Sequence, residues 1–463
     1  MTLKPCHILG TILLLCTIGI APVLADTWEN NWAPWVTNTT TTSANINWWQ
    51  ETGGTGSIAY AKTVDFARTG RFDSTVTDVS AIPSHHVLLT GLDTGTSYTY
   101  LVKPSGNPGI FSPRTFRTMP ESGPYTFVVI SDAQEGSAYS EDKRFHYVAE
   151  AIAKEPDVLF ILSGGDHARF DNFGHWAIFF NNADGMLSNT TIFPVIGNHE
   201  YHDINHGDAP TPATYYHDAF AVPNNYSFDV AGIRYILLDS PDPNEAIIAH
   251  TDNPTPSLNL TLSQVSWLRS QLDNRLLGTF TLQHNPNWLD GWTTVEPLYA
   301  PWDSLYKEYG ISASFAGHIH TYERYSINGT PYFIVGNAGG PASEINATLP
   351  SGYQNGSTRR LGYLKVTVNP ANNSATAQEI VVGYAYSDDD NRTPFIFPSP
   401  VTDETISFPL KRSLFLDNNP KMAATVPESG TRGLSPSLPA AGLGVILVFG
   451  AIILLNKRRY AGR

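Results

Sequence analysis

The 463-residue chain is nearly devoid of sulfur chemistry. Its two cysteines, Cys6 and Cys16, lie in the first stretch of the chain, which reads as a leader. The mature protein would then have no thiol and no disulfide, which excludes a disulfide-stapled scaffold. In a secreted protein of this size that lack points to a prokaryotic surface. Leu15 is bulkier than the residue that usually precedes a lipidated cysteine, which argues against lipid attachment at Cys16. Basic residues are also scarce: 28 Lys and Arg stand against 42 Asp and Glu, for a formal net charge of −14. Without Lys4 of the leader and Lys457, Arg458, Arg459 and Arg463 of the tail, the charge falls to −19. Such a surface repels a polyanion at long range, so nucleic acid is not an expected partner. Internal repeats and long low-complexity tracts are lacking too, which speaks against a structural stalk protein.

The two ends carry targeting signals. Residues 1–25 read as a signal peptide, with Lys4, an apolar run over 8–24 and small Ala25 at the cleavage point. Residues 438–456 are mostly apolar, and the basic 457–463 follows at once. The apolar span is short beside the roughly 20 residues that a membrane helix needs. It reads either as a transmembrane segment with a basic cytoplasmic tail or as a sorting signal that is cut off. Residues 411–437 form a linker or stalk. The expected location is the cell surface, with the ectodomain outside and the membrane contacted through the C-terminal segment. Asn-x-Ser/Thr sequons occur at Asn38, Asn189, Asn225, Asn259, Asn328, Asn346, Asn355, Asn372 and Asn391; their glycosylation depends on the host. Nothing in the sequence sets the oligomeric state.

Between the ends the length suggests two domains. Residues 27–118 alternate apolar and polar positions, as in Ala44-Asn45-Ile46-Asn47-Trp48, between Gly- and Thr-rich turns, which predicts a small antiparallel sandwich. The run Leu89-Thr90-Gly91-Leu92 followed by Gly95-Thr96-Ser97-Tyr98-Thr99-Tyr100 resembles the fibronectin type III pattern, in which such a tyrosine bonds back to a nearby turn. With no reactive cluster, this region is expected to be a spacer or wall, and 120–124 a linker. From residue 121 to 410 the pattern changes to α/β. Short apolar strands are predicted at 125–130, 158–162, 192–196, 233–238, 280–282 and 312–315, with helices at 142–154 and 263–274. In the second helix Val265, Leu268 and Leu272 would face inward. Most of these strands are followed within a few residues by a polar, metal-binding type of side chain. That is where sites form in open α/β sheets.

Two strings stand out: Gly197-Asn198-His199-Glu200, and Gly317-His318-Ile319-His320 running into Thr321-Tyr322-Glu323-Arg324. With Asp132, Asp166 and His284 they offer carboxylates, an amide and imidazoles from several strand ends, which is how a two-metal hydrolase collects its ligands. Among the other histidines, His85 and His86 are expected at the surface of the sandwich. His167 and His202 flank the motifs, and His206, His217 and His250 are expected in solvated loops.

On these motifs, and on Tyr226-Ser227-Phe228-Asp229 leading to Leu238-Asp239-Ser240, residues 28–410 resemble the purple acid phosphatases of the calcineurin-like metallophosphoesterase superfamily. The resemblance implies a four-layer αββα metallophosphoesterase sandwich preceded by an all-β fibronectin III-like sandwich. It implies two transition-metal ions, Zn, Mn or Fe, bridged by Asp166. Asp132 and His320 would complete the first site, and Asn198, His284 and His318 the second. A water near two cations becomes hydroxide at working pH and attacks phosphorus in a phosphate monoester. His199 would contact the phosphate or leaving group with Glu200 behind it, making His199, Asp166 and Glu200 the catalytic set, and His202 would lie in the substrate pocket. The partner implied is a small phosphorylated substrate.

The chain departs from the family pattern in three places. Asp132-Ala133-Gln134 stands where relatives have Asp-x-Gly or Asp-x-His, and Gln134 offers an amide oxygen to the first metal. Arg169 replaces the tyrosine that gives the family its colour, so a ferric tyrosinate is not expected and the first ion should be divalent. Arg169 would bind phosphate bidentately or form a surface ion pair. Asn287-Trp288-Leu289-Asp290 stands where relatives carry further histidines. Rival readings are a phosphodiesterase or nucleotide hydrolase, and a non-catalytic surface binding protein.

Overall fold

The computed structural model describes residues 31–50, 53–105, 112–134, 143–201, 212–240, 262–273, 275–286, 300–345, 349, 352–385 and 394–413. The expected leader at 1–25, nearly all of the linker at 411–437, the apolar span at 438–456 and the tail at 457–463 lie outside these residues. So do His202, His206, His250 and residues 287–290. Among the described residues no helix is long and apolar enough to cross a membrane.

The N-terminal region is a β-sandwich with one short helix. Its strands are β1 (Asn31–Thr37), β2 (Ser43–Gln50), β3 (Gly56–Lys62), β4 (Ser74–Asp78), β5 (Ser84–Thr90), β6 (Ser97–Pro104) and β7 (Arg114–Arg117), with α1 (Thr63–Thr69) after β3. They order as β1-β2-β5 in one layer and β4-β3-β6-β7 in the other. Strand side chains alternate in direction, so Ala44, Ile46 and Trp48 all enter one core, where they meet Val87, Leu89, Ile58, Tyr100 and Val102. Tyr98 Oη accepts the Asp93 N–H at 2.8 Å, so this tyrosine bonds back to the preceding turn. His85 corrects the surface expectation. It is fully buried opposite Trp48, stacked at 4.2 Å between ring centroids, and its Nδ1 meets Asp78 Oδ2 at 2.7 Å. The same period-two rule that buries Val87 and Leu89 puts His85 on the inner face.

The α/β region contains β8 (Tyr125–Ile130), α2 (Arg144–Ala153), β9 (Val158–Ser163), α3 (Phe173–Asn182), α4 (Asp184–Leu187), β10 (Thr191–Pro194), a 3₁₀ turn at His199–Tyr201 and α5 (Thr214–Phe220). The chain continues through β11 (Tyr226–Val230), β12 (Ile233–Leu238), α6 (Leu262–Leu272), β13 (Gly278–Gln283), α7 (Ala300–Tyr309) and β14 (Ala313–Ala316). The last strands are β15 (Tyr322–Ile327), β16 (Thr330–Val335), β17 (Tyr353–Ser357), β18 (Arg360–Asn369), β19 (Ser374–Tyr384) and β20 (Phe395–Pro409). The strands and helices anticipated from sequence are present, with ends displaced by up to two residues.

Two mixed sheets face each other. One runs β20-β19-β18-β8-β9-β10 and continues into β1-β2-β5; the other runs β11-β12-β13-β14-β16-β15-β17. Alternation sorts their side chains into layers. Tyr125, Phe127 and Val129 of β8 point between the sheets with Tyr235, Phe280 and Phe315, while Val128 and Ile130 point outward onto α2 and α3. On the far side Ile236 and Leu238 pack with Leu268 and Leu272 of α6 and Trp302, Leu305 and Tyr306 of α7. The result is helix, sheet, sheet, helix. Phe127 and Phe160 stack at 5.1 Å, and Tyr235 meets Phe127 edge-on at 5.4 Å; such pairs contribute about 0.5–1.5 kcal/mol each beyond their buried area.

The sandwich shares a sheet with the α/β region. Strand β1 pairs in parallel with β10 at Thr37 and Ile192. Trp32 stacks on Phe180 at 4.7 Å, and Trp35 Nε1–H donates to the Ala219 carbonyl at 2.9 Å. The wall expected from sequence is therefore welded to the face that carries α3 and α5.

Candidate metal centre

Parallel strands bring their carboxyl ends to one edge of the two-sheet stack. Strands β8, β9 and β10 are mutually parallel in the large sheet, and β12, β13 and β14 in the smaller one. The candidate ligands follow these strands: Asp132 after β8, Asp166 after β9, Asn198 after β10, His284 after β13, and His318 with His320 after β14. Asp132, Asp166 and His318 take left-handed backbone conformations, with φ of 58°, 53° and 69°. Each such residue costs roughly 1–2 kcal/mol, and strain of this kind collects at functional sites.

The side chains form two groups that meet at one atom. In the first, His320 Nε2 lies 3.3 Å from Asp132 Oδ1 and 3.2 Å from the Gln134 amide. In the second, Asn198 Oδ1 lies 2.9 Å from His284 Nε2 and 3.0 Å from His318 Nδ1. Asp166 Oδ2 is 3.3 Å from Gln134 on one side and 3.3 Å from His284 Nε2 on the other. Asp132, Asp166 and His284 form a buried trio whose ligand atoms lie within 4.8 Å of one another. Neighbouring ligands on an ion with bonds of about 2.1 Å stand about 3.0–3.4 Å apart, so the donor set fits metal ions.

Hydrogen bonds aim these donors. His284 Nδ1–H donates to the Gly164 carbonyl at 2.7 Å and His320 Nδ1–H to the Pro341 carbonyl, which turns both Nε2 lone pairs into the centre. Asp132 accepts the His318 N–H at 2.9 Å, and Asp166 Oδ1 accepts the His199 N–H at 2.9 Å. The motif glycines allow the close approach. At Gly197 a side chain would strike the Asp166 carboxylate, and at Gly317 it would strike Ser131 and Asp132.

The electrostatics favour a cation here. Burial pushes the Asp166 carboxyl up, but His284 and His199 hold it well below the usual carboxylate range. Burial pulls His284 down, yet the Asp166 charge prevails and lifts it to about 9. Burial and the neighbouring His284 depress His318 to about 4. Against the desolvation that lowers it, Asp132 raises His320. The buried carboxylates thus draw a proton onto an imidazole that would otherwise face a metal ion.

The remaining candidates separate into two kinds. His199 stands at the rim, with Nδ1–H on the Arg169 carbonyl at 2.8 Å and Nε2 3.9 Å from Asp166 Oδ2. Arg169 is half-buried with its guanidinium 5.7 Å over Phe170. Glu200 does not face the donors. Its buried carboxylate accepts the N–H groups of Gly197 and His167 at 2.7 Å and of Asp166 at 3.0 Å. The catalytic role expected for Glu200 is replaced by a clamp on the loop that carries Asp166. His167, also buried, bonds Ser163 Oγ at 2.8 Å beneath it. The carbonyls of Gly164 and Pro341 were not foreseeable from sequence, because a backbone acceptor has no residue signature.

Residues 125–322 match the family of calcineurin-like phosphoesterases. Over 379 residues the chain is 24% identical to the purple acid phosphatase of Glycine max, covering 78% of this chain and 76% of that protein. The fold resembles the solved structure of PhoD, with TM-score 0.61 at 12% identity over 85% of this chain and 93% of that one. It also resembles purple acid phosphatase PPD1 from yellow lupin seeds, with TM-score 0.60 at 14% identity over 81% and 74%. The domain match and the purple acid phosphatase homologues support a metal-dependent phosphoester hydrolase with a centre for two metal ions.

Proposed function

We propose that the chain is a dinuclear phosphomonoesterase that acts outside the cell on a small phosphorylated substrate. The observation that carries this reading is the position of Asp166 Oδ2, common to an Asp132–Gln134–His320 group and an Asn198–His284–His318 group. When bound, a pair of ions supplies Lewis acidity toward phosphoryl oxygens and lowers the pKa of a bound water towards neutrality. Zn, Mn or divalent Fe suits the mixed oxygen and nitrogen donors.

The chain's own residues supply orientation and protons. Asp166 is held in register by the His199 N–H. The His199 ring is fixed by its Nδ1–H bond to Arg169, so in the imidazolium form Nε2–H points over the centre toward a departing ester oxygen. Arg169, with no carboxylate partner among the described residues, is available to a phosphate. Secretion through the 1–25 leader, retention at the surface through 438–456 and a fibronectin III-like identity for the sandwich belong to the same reading.

The test is elemental analysis together with turnover of p-nitrophenyl phosphate and bis-p-nitrophenyl phosphate on one preparation. About two transition-metal ions per chain with preference for the monoester is the expected result. Preference for the diester would replace monoesterase by diesterase. Absence of metal and turnover after reconstitution with Zn, Mn and Fe would overturn the reading in favour of a binding protein.

A further inference from the structure

Strand β12 differs from its parallel neighbour β13 and from β8, β9, β10 and β14, because none of the candidate ligands follows it. Asp239 and Ser240 stand there instead. We infer that Asp239 is a positioning residue: through Tyr201 it sets the turn that carries His199 against the strand end that carries His284, so that the His199 proton meets the leaving oxygen. This rests on the phosphomonoesterase reading above, with His199 as the proton donor.

The 3₁₀ turn is small, and its three side chains leave in three directions. Tyr201 N–H donates to the Asn198 carbonyl at 3.1 Å, which closes the turn. His199 is held over the centre by its Nδ1–H bond to the Arg169 carbonyl, and Glu200 reaches under the loop after β9. Tyr201 crosses to the other sheet. It is 4% exposed, and its Oη–H donates to Asp239 Oδ2 at 3.1 Å. Burial, then the Asp239 charge, push the Tyr201 hydroxyl above its ordinary range, so it stays a donor. The acceptor is itself fixed. Asn224 Nδ2–H donates to the same Oδ2 at 2.7 Å, the Asp239 N–H to Asn225 Oδ1 at 3.0 Å, and Gln264 Nε2–H to the Asp239 carbonyl at 2.7 Å. Ser240 Oγ accepts the Asn285 N–H at 2.8 Å, next in the chain to His284. One dipeptide thus bonds both to the turn after β10, in the large sheet, and to the strand end after β13, in the smaller one. The bonds that Arg169 and Asp166 make to His199 come from the loop after β9, so they fix it within the large sheet. Tyr201 fixes it against the smaller one. Displacing a catalytic group by about 1 Å is enough to cost about 10²-fold in rate.

The test compares p-nitrophenyl phosphate, whose leaving anion needs no proton, with glycerol 2-phosphate, whose alkoxide does. As the bond to phosphorus breaks, its electron pair stays on the ester oxygen and the His199 Nε2 proton goes to that oxygen. Tyr201→Phe removes only the hydroxyl. In this full-length variant the ratio of kcat/KM on p-nitrophenyl phosphate to that on glycerol 2-phosphate should rise about 10–100-fold. Metal content by elemental analysis should stay native. Asp239→Leu should raise the ratio similarly, and Asp239→Asn, which keeps an oxygen toward the tyrosine, should restore most of the loss; if the leucine protein does not fold, Tyr201→Phe decides. His199→Ala should raise the ratio at least as much, and adding Tyr201→Phe to it should raise it no further. A phenylalanine variant with the native ratio would refute the inference and leave His199 as the proton donor. So would a double variant whose ratio exceeds that of His199→Ala, since Tyr201 would then act apart from His199, and so would loss of metal from the phenylalanine variant. His199→Ala with the native ratio would overturn the proton-donor reading together with this one.

Discussion

Glu200 separates a structural reading of the GNHE string from a catalytic one. Its carboxylate holds the N–H groups of Asp166, His167 and Gly197 at 2.7–3.0 Å, with Ala168 N at 3.4 Å beyond. Hydrogen bonds to a charged acceptor contribute about 1.5–3 kcal/mol each. Glu200→Gln keeps one oxygen and turns an NH₂ against backbone donors, so about half of that stabilisation goes, on the order of 3 kcal/mol. Glu200→Ala leaves three buried N–H groups without acceptors and should cost about 5 kcal/mol or more. For a chain of this size the glutamine variant should melt roughly 3–4 °C lower. Asp166, held at φ 53°, loses its anchor, so metal affinity should fall too. Because metal binds only the folded form, excess divalent ion should restore part of the melting temperature. At saturating metal, kcat should stay within about tenfold of native, less than the 10²–10⁴-fold that loss of a general acid or base brings. The assay is a thermal melt with and without metal, alongside metal content and turnover. A glutamine variant with native melting temperature and metal content but a kcat reduced by about a thousandfold would refute the clamp and restore a catalytic role.

Asp166→Asn should lose most of its bound metal and its activity together, measured by elemental analysis and p-nitrophenyl phosphate turnover; full activity would remove the bridge assignment. With Arg169 in place of a tyrosine, the metal-loaded protein should show no visible charge-transfer band, and a purple preparation would sink that reading. Glu379 gives a pH test away from the centre: burial first, then Asp403 and Glu404, push its carboxyl from 4.5 up to about 7 against a Ser357 hydrogen bond. The folded state then holds this proton more tightly than the unfolded chain, so its stabilisation is complete below pH 4.5 and is lost as pH rises through about 7, on the order of 3 kcal/mol. Melting temperature should fall from pH 5 to pH 8 in the native chain and fall less in Glu379→Gln; parallel curves would refute the assignment.

Much of the architecture could be read from residue order. Alternation in 44–48 and the apolar runs before Asp132, Asp166, Asn198 and His284 set strand, face and strand end, because side-chain direction along a strand has a period of two whatever the partner. The donor types of the candidate centre were legible for the same local reason: an amide and imidazoles in Gly197–Glu200 and Gly317–His320 have few uses other than binding. What the local pattern could not show is whom each group faces. His85 looked like a surface histidine until the sandwich closed over Trp48. Glu200 looked catalytic until the loop after β9 folded onto it. Gln134 was expected beside the first metal, but only the folded chain sets Asp166 and His320 against one end of its amide and leaves the other end without a hydrogen-bond partner.

The sequence by itself determined the element types, the sheet faces and the chemistry of the donors, since those follow from periodicity and functional groups within a few residues. Tertiary structure alone decided that β1 joins the large sheet through Thr37 and Ile192, that the Gly164 carbonyl turns His284 inward across 120 positions of sequence, and that Asp166 Oδ2 is the atom shared by both groups. Each of these is a contact between residues far apart in the chain, fixed by the packing of one sheet on another.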